Sequence, residues 1–562
     1  MPAEDVSTRY HLRDSSISVH GRKSLYANIA EEFWLMKKFL KNNVLSVSIN
    51  IYRKNCPRLS GSSFFSSILY QKFVYLLLLV TPLNVGAQQS TGFNHLAFQD
   101  IISLRFDEAS LNLRKSKDID PDNPYTVFLE NYLQFVRCAI DGDRTEYLSY
   151  KTAHGKRVQI LNGHSEDAAM CFQAEMNLHS FLLAIHHEDN FQALKRLMLA
   201  RNQLNYFLQH TDNPATGHRL QGMLLLILSA IPDEFTRISS LAGIRGDYDK
   251  GMALLEECMH QYEPHTAEYL EMIIIITFIR NMIKQDYQAN FNRLGRLPGE
   301  YLKNPLYRLV YVISASKSGH NDEVIKTTQT YYQDPEEHQI CYFNYIYGSA
   351  LLNRMDSKAE IPLHQYIDCS LSDRFVKSAY RKLAWNYLVH GDTLSFEKYR
   401  KLVLDSGSLN ADVDRQAYYE LAFPGIPNTD LVKARLLFDG GYYDQSKSLL
   451  LKKETRKGLQ NLYQQTEYAY RLARIYHLSN ETDKAARLYQ LTLEKGMGHP
   501  FYYAAYSALQ LGIIYEQLGD NRKAKSYYLK VFETSDKSYG FRFRHSAREG
   551  IRRLDKKVNS RD

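Results

Sequence analysis

The chain has 562 residues, 44% apolar and 23% charged, which excludes both wholesale disorder and a polytopic membrane protein. So long a chain cannot share one core, which implies three or four domain-sized units or one long repeat array. The net charge of +8 is unevenly placed: residues 1–87 hold 11 Lys/Arg against 5 Asp/Glu, and the remainder holds 59 against 57. A nucleic-acid binder carries its excess on the working domain, so nucleic acid is not expected as a partner.

In chain order, residues 1–67 show no sustained hydrophobic period and read as a non-native or disordered extension. Residues 68–87 then run from the basic Lys72 through the apolar stretch Phe73–Val80 to a Pro82 break and the small residues Val85 and Ala87. That order is the one a bacterial secretory signal needs, with cleavage after Ala87 and a mature start at Gln88. The apolar run is too short to cross a bilayer, and Gln88 is not the cysteine a lipid anchor requires. The expected location is therefore periplasmic or secreted.

Beyond residue 88 the chain is poor in breakers, with only 15 Pro and 28 Gly in the whole sequence, which favours helices. Six cysteines lie at least 28 residues apart, so no metal knuckle or redox pair forms. An odd, dispersed set beyond residue 87 reads as small buried apolar residues rather than a disulfide framework.

A repeat organises this part. The small residues Val312, Gly348, Ala384, Ala434, Ala473 and Gly512 recur at intervals of 36, 36, 50, 39 and 39. Around each, an aromatic or Leu follows three positions on, a turn about seven on, and a second small or apolar residue twelve on. The clearest copies are Leu472–Tyr489 and Leu511–Tyr528. Two amphipathic helices of ~14 residues and two turns account for the spacing, with the small residues where paired helices cross. Earlier copies are visible at Ala97, Phe106–Ala109, Leu113 and Pro121, and at Gly246–Asp249 with Leu254–Leu255.

This pattern resembles the tetratricopeptide repeat (TPR), a helix–turn–helix unit of about 34 residues. It is similar to secreted TPR proteins of the Bacteroidetes and, more weakly, to the inclusion-body-clearance TPR family. The resemblance implies an all-α, right-handed solenoid of about twelve hairpins over 88–540. Residues 88–370 are the divergent part, 371–535 the clearer repeats, and 536–562 a capping helix with a basic tail. Such arrays contact mainly nearest neighbours, so an extended shape is expected. The abundant tyrosines would fill gaps between paired helices, as at Tyr387, Tyr476, Tyr515 and Tyr528. The run Ile273–Ile276 reads as a helix buried on all sides.

Motifs for chemistry are weak. His186-His187-Glu188-Asp189 is dense in ligand types, but four consecutive residues point around a helix, and a solvated helix end is the expected reading. Ser314-Ala315-Ser316-Lys317 matches SxxK without the companion motifs of a serine acyl enzyme. No catalytic residue, metal site or cofactor is expected.

The TPR resemblance also implies a partner surface. The first helix of each hairpin lines a concave face, with the inner stripe three before, one after and four after the small anchor. That stripe brings forward Arg381, Trp385 and Leu388; then Leu431, Arg435 and Phe438; then Tyr470, Arg474 and His477. The groove suits a protein or peptide offering apolar side chains and a carboxylate. The pairs Leu431/Arg435 and Tyr470/Arg474 do not supply the Lys and Asn of a chaperone-type clamp. The function expected is a non-enzymatic scaffold of the bacterial cell envelope. The alternatives are a SusD-like nutrient-uptake component or an enzyme with a site hidden among the repeats.

Overall fold

The computed structural model describes residues 92–559 except 141, 165–166, 212–214, 231–245, 333–339, 410, 500 and 535–539. The expected extension 1–67 and the expected leader 68–87 lie outside the described residues. Within them the chain is helical and contains no strand; 25 α-helices follow one another, mostly as antiparallel hairpins. Eleven such hairpins stand where about twelve were expected, from Gly92–Ile102 with Phe106–Ile119 to Tyr503–Gln517 with Asn521–Glu533. No helix among the described residues is long and apolar enough to cross a membrane.

The small anchors lie where the partner helix crosses. A Cβ on Gly348 would stand 2.7 Å from Leu363 in the second helix of its hairpin, and one on Gly512 would stand 2.4 Å from the Tyr528 ring. Ala384, Ala434 and Ala473 are fully buried. A larger side chain at any of these sites would hold the two helices apart. Tyr528, fully buried, fills the space beside Gly512 and Gly550 and donates its hydroxyl to Glu516 at 2.6 Å. Tyr387 stacks on Tyr399 and Tyr515 on Tyr527, as the gap-filling reading requires. Tyr476, half-buried like Tyr387 and Tyr515, packs against both C-terminal apolar clusters and carries Lys447 and Lys484 over its ring.

Two features depart from a simple array. The 50-residue interval between Ala384 and Ala434 holds an extra helix, Asp412–Ala422, between the hairpins Val376–Val389/Thr393–Asp405 and Thr429–Asp439/Tyr443–Leu451. Its Asp414 carboxylate accepts the backbone N–H groups of Phe375 and Ser378 at 2.7 and 2.9 Å, fastening it to the start of the preceding hairpin. Contacts also reach far beyond nearest neighbours. Asn304 donates to the carbonyl of Ile102, 202 residues away; Tyr132 donates to Glu271, 139 away; Arg374 meets His186, 188 away. The Gly319 and Gly441 turns touch across two intervening hairpins, and Tyr442 reaches Asn321 and Asp322 there. Contact is still mainly between neighbouring hairpins, as expected, but in this part it also joins hairpins far apart in the chain.

One contiguous core runs from Ala97 to Leu436, and two smaller clusters continue through Leu554. In the helix Ala267–Ile279, every residue from Glu271 to Ile279 is buried, as expected for Ile273–Ile276. The C-terminal helix Gly540–Asn559 buries Phe543, Ala547 and Leu554 against the last hairpin and so caps the array. Three cysteines, Cys138, Cys171 and Cys258, are buried and free, as expected. Cys341 and Cys369 depart from that reading: they form a disulfide that ties the helices Cys341–Asn353 and Glu360–Cys369. Their spacing of 28 is one hairpin, which is why two dispersed cysteines meet.

Candidate functional site

The inner stripe is carried by four successive first helices, Val376–Val389, Thr429–Asp439, Leu462–Leu478 and Tyr503–Gln517. Three of the four start with a side-chain device: an Asp414 acceptor for the first, an Asn428 cap for the second and an Asn461 cap for the third. These fix the rotation of those helices, so residues one turn apart share a face.

Trp385 is 4% exposed and lies between two guanidinium groups, Arg381 at 4.6 Å and Arg435 at 4.5 Å from its ring centroid. Neither arginine is solvated. Both bond to one carboxylate, Glu420: Arg381 to Oε2 at 2.6 Å and Arg435 to Oε1 at 2.8 Å. Burial opposes ionisation of Glu420, but Arg435 and Arg381 overcome it and hold its carboxyl below the usual range. Arg435 also faces Asp439 at 3.6 Å. Glu420 belongs to the extra helix and is the residue that sequence reasoning missed. The signal available was the long 384–434 interval, which has room for one more helix.

Arg474 is arranged differently. Its guanidinium lies 4.0 Å from the Phe438 ring centroid and 5.7 Å from those of Tyr470 and Tyr506. It is half-buried, and among the described residues it makes no ion pair and no hydrogen bond. Its neighbour Arg471 is paired with Glu467. His477, half-buried, meets the Tyr489 hydroxyl at 3.4 Å. Tyr470 is 1% exposed, and Leu388 and Leu431 are buried too, so these three serve packing.

A further cation, Lys382, stands over the Tyr345 ring at 5.5 Å and is half-buried. Burial, reinforced by the charge of Arg381, lowers its ammonium to about 7. A ladder results: Lys382 on Tyr345, Arg435 on Trp385 and Arg474 on Phe438, each cation on the aromatic of the preceding first helix. Each such contact adds roughly 0.5–2 kcal/mol, depending on exposure. The structure brings together Arg381, Trp385 and Arg435 in one cluster and Phe438, Tyr470 and Arg474 in the next. His477 stands at the edge of the second.

The other motifs are absorbed by packing. Ser314 is fully buried, donating to the Val310 carbonyl at 2.7 Å and receiving the Asn281 amide at 2.8 Å. His186 and His187 are half-buried rather than solvated. His186 meets Arg374 at 3.1 Å, and His187 stacks on Tyr147. Among the described residues no group of three or more His, Cys, Asp and Glu could hold a metal ion.

Two family models described as tetratricopeptide repeat match residues 469–501 and 505–537. The chain contains tetratricopeptide repeats. Each matched segment takes in most of a hairpin, Leu462–Leu478 with Thr482–Gly496 and Tyr503–Gln517 with Asn521–Glu533, so Arg474 lies on the first helix of a TPR. Among solved structures, the crystal structure of the APC/C hetero-tetramer Cut9–Hcn1 is similar at 12% identity and a TM-score of 0.20. The match covers 82% of this chain and 95% of that one. No curated protein is significantly similar to the chain.

Proposed function

We propose that this chain is a non-enzymatic TPR scaffold that binds protein or peptide partners along the inner stripe from Lys382 to His477, in the bacterial cell envelope. The observation that carries the reading is Arg474: a cation held by three aromatic rings, half-buried and without an ion pair or hydrogen bond to a carboxylate among the described residues. A guanidinium with its face covered and its donors free is suited to a planar acceptor on another molecule. The Cys341–Cys369 disulfide supports an oxidising compartment, and the signal-like order of residues 72–87 in the sequence agrees with it.

The test is capture from a bacterial envelope fraction by the mature chain beginning at Gln88, compared with two variants. Phe438→Glu places a charge on the inner stripe; Leu518→Glu does so at the exposed turn of the last hairpin, where Leu518 is 65% exposed. A protein retained by the wild type and Leu518→Glu but lost with Phe438→Glu supports the reading. A partner retained by all three, or lost only with Leu518→Glu, places binding elsewhere.

A further inference from the structure

The inner stripe and the positions beside it carry Arg381, Lys382, Arg435, Arg471 and Arg474, whose charges are met in two different ways. Arg381 and Arg435 share Glu420, and Arg471 has Glu467 one turn before it. Lys382 and Arg474 have only aromatic neighbours within contact distance among the described residues: Tyr345 for the first, Phe438, Tyr470 and Tyr506 for the second. The one further acid of the stripe, Asp439, lies within electrostatic range of Lys382, Arg435 and Arg474, and its 3.6 Å contact is to Arg435. The stripe is thus short of negative charge at two places, flanking a segment that is already neutralised.

We infer that Arg474, with Lys382 as a second and weaker point, receives acidic side chains of an extended partner segment whose neighbouring residues are apolar. The ring under the guanidinium leaves its N–H edge free, and that edge matches the two oxygens of an Asp or Glu carboxylate. Phe438, Tyr443 and Tyr506 around it are half-buried and offer apolar surface to the flanking side chains. A protein segment fits better than a nucleic-acid backbone. Phosphates recur at every nucleotide, whereas the two open cations are interrupted by the Arg435–Glu420–Arg381 cluster and Asp439, which would repel a continuous line of charge. This inference rests on the inner-stripe reading above and goes beyond it by naming the chemistry of the partner.

The probe is a pair of acetylated, amidated twelve-residue peptides, one alternating Glu with Leu and Ser, the other with Gln in place of each Glu. Blocked ends remove any terminal carboxylate. Fluorescence anisotropy with residues 88–562 should show the Glu peptide bound at least tenfold more tightly than the Gln peptide. Arg474→Gln should abolish most of that preference, in line with the worth of a charge-assisted hydrogen bond. Lys382→Met should reduce it by a smaller factor, and it serves as the second variant if Arg474→Gln lowers the thermal midpoint. Preference for Glu that survives both substitutions overturns the assignment of Arg474 and Lys382 while leaving the scaffold reading intact. Equal binding of both peptides, or no binding of the Glu peptide, overturns the acidic chemistry itself. So does tighter binding of a single-stranded oligonucleotide of the same length. The scaffold reading stands or falls separately on the envelope capture.

Discussion

The hairpins between Leu462 and Glu533 and those between Gly92 and Leu451 are built from the same unit, yet they are held differently. In the C-terminal pair the side-chain bonds stay between neighbours, Tyr463 with Tyr503 and Lys495 with Gln465, and Lys447 with Glu481 ties it to the hairpin just before. In the longer N-terminal part, contacts span 121 to 202 residues and close distant hairpins onto one another. Compared as first helices of their hairpins, Asp167–His186 of that part is buried at every position from Ala169 to Ile185, whereas Tyr503–Gln517 is buried at nine of its fifteen positions. The lesson is that one repeat can make either a string of locally stable units or an interlocked body. Which it makes depends on whether its second face meets solvent or more protein.

This difference also explains what was legible. A helix that buries one stripe shows a 3.6-residue period, and each family match includes such a helix, Thr482–Gly496 or Asn521–Glu533. A helix buried all round shows no period, so Asp167–His186 and Ala267–Ile279 yielded only an expectation of helix from length and apolar content. Turn chemistry tells the same story. The left-handed residue of the hairpin turn is Gly319, Gly391, Gly441 and Gly519 in four units, but Leu104, Glu188, Gln285, Met355 and Asn480 in others, most of them early in the chain. Where a residue other than glycine takes this conformation, the turn is harder to see in the sequence although the backbone is the same. At the candidate site the stripe residues were legible from their register. Their partner Glu420 was not, because it comes from a helix outside the repeat.

The largest expected contrast is between ion pairs. Arg219 and Glu175, 2% and 0% exposed, bond at 2.6 and 2.8 Å inside the N-terminal body. Arg219→Met should cost about 3–5 kcal/mol, because a buried carboxylate is left without its cation. The counterpart Arg553→Ala, at the half-exposed pair with Glu516 in the C-terminal cap, should cost less than ~1 kcal/mol. Chemical denaturation of both variants measures the gap, and equal losses would erase the distinction between the two regions.

At the seam between them, Glu420→Gln should cost about 2–3 kcal/mol, since two buried guanidinium groups lose a shared anion. The substitution should also quench or shift the fluorescence of Trp385, which lies between those groups. An unchanged melt and an unchanged spectrum would mean that the extra helix does not hold the stripe.

Acid should separate the regions too. Burial, with Arg144 and Arg374 adding to it, lowers His187 to about 4, and burial with Arg374 lowers His186 as well. Both therefore bind protons less readily folded than unfolded. The stability they contribute is present above about pH 6.5 and is lost as pH falls toward 4, by about 1–2 kcal/mol at pH 5 for His187. His187→Gln should flatten that part of the profile, measured as the thermal midpoint from pH 7.5 to 4.5. A profile identical to the wild type would remove the histidine pair from the account.

A small gain is expected at the turns. Glu188 is exposed and adopts φ of 59°, a conformation that disfavours any residue with a Cβ. Glu188→Gly should stabilise the N-terminal body by ~0.5–1 kcal/mol, read as a rise in denaturant midpoint at constant slope. A loss would show that the glutamate side chain contributes more than the backbone strain it imposes.

Native-state hydrogen exchange followed by peptide mass spectrometry tests the central claim most directly. If residues 92–451 are interlocked and 462–533 are stacked in series, amides of the two C-terminal hairpins should open at lower free energy and in order from the chain end. Those of the N-terminal body, including Asp167–His186 and Ala267–Ile279, should exchange together in a single higher-energy opening. Progressive exchange, hairpin by hairpin, from Gly92 to Leu451 would contradict the account, as would one opening shared by both regions.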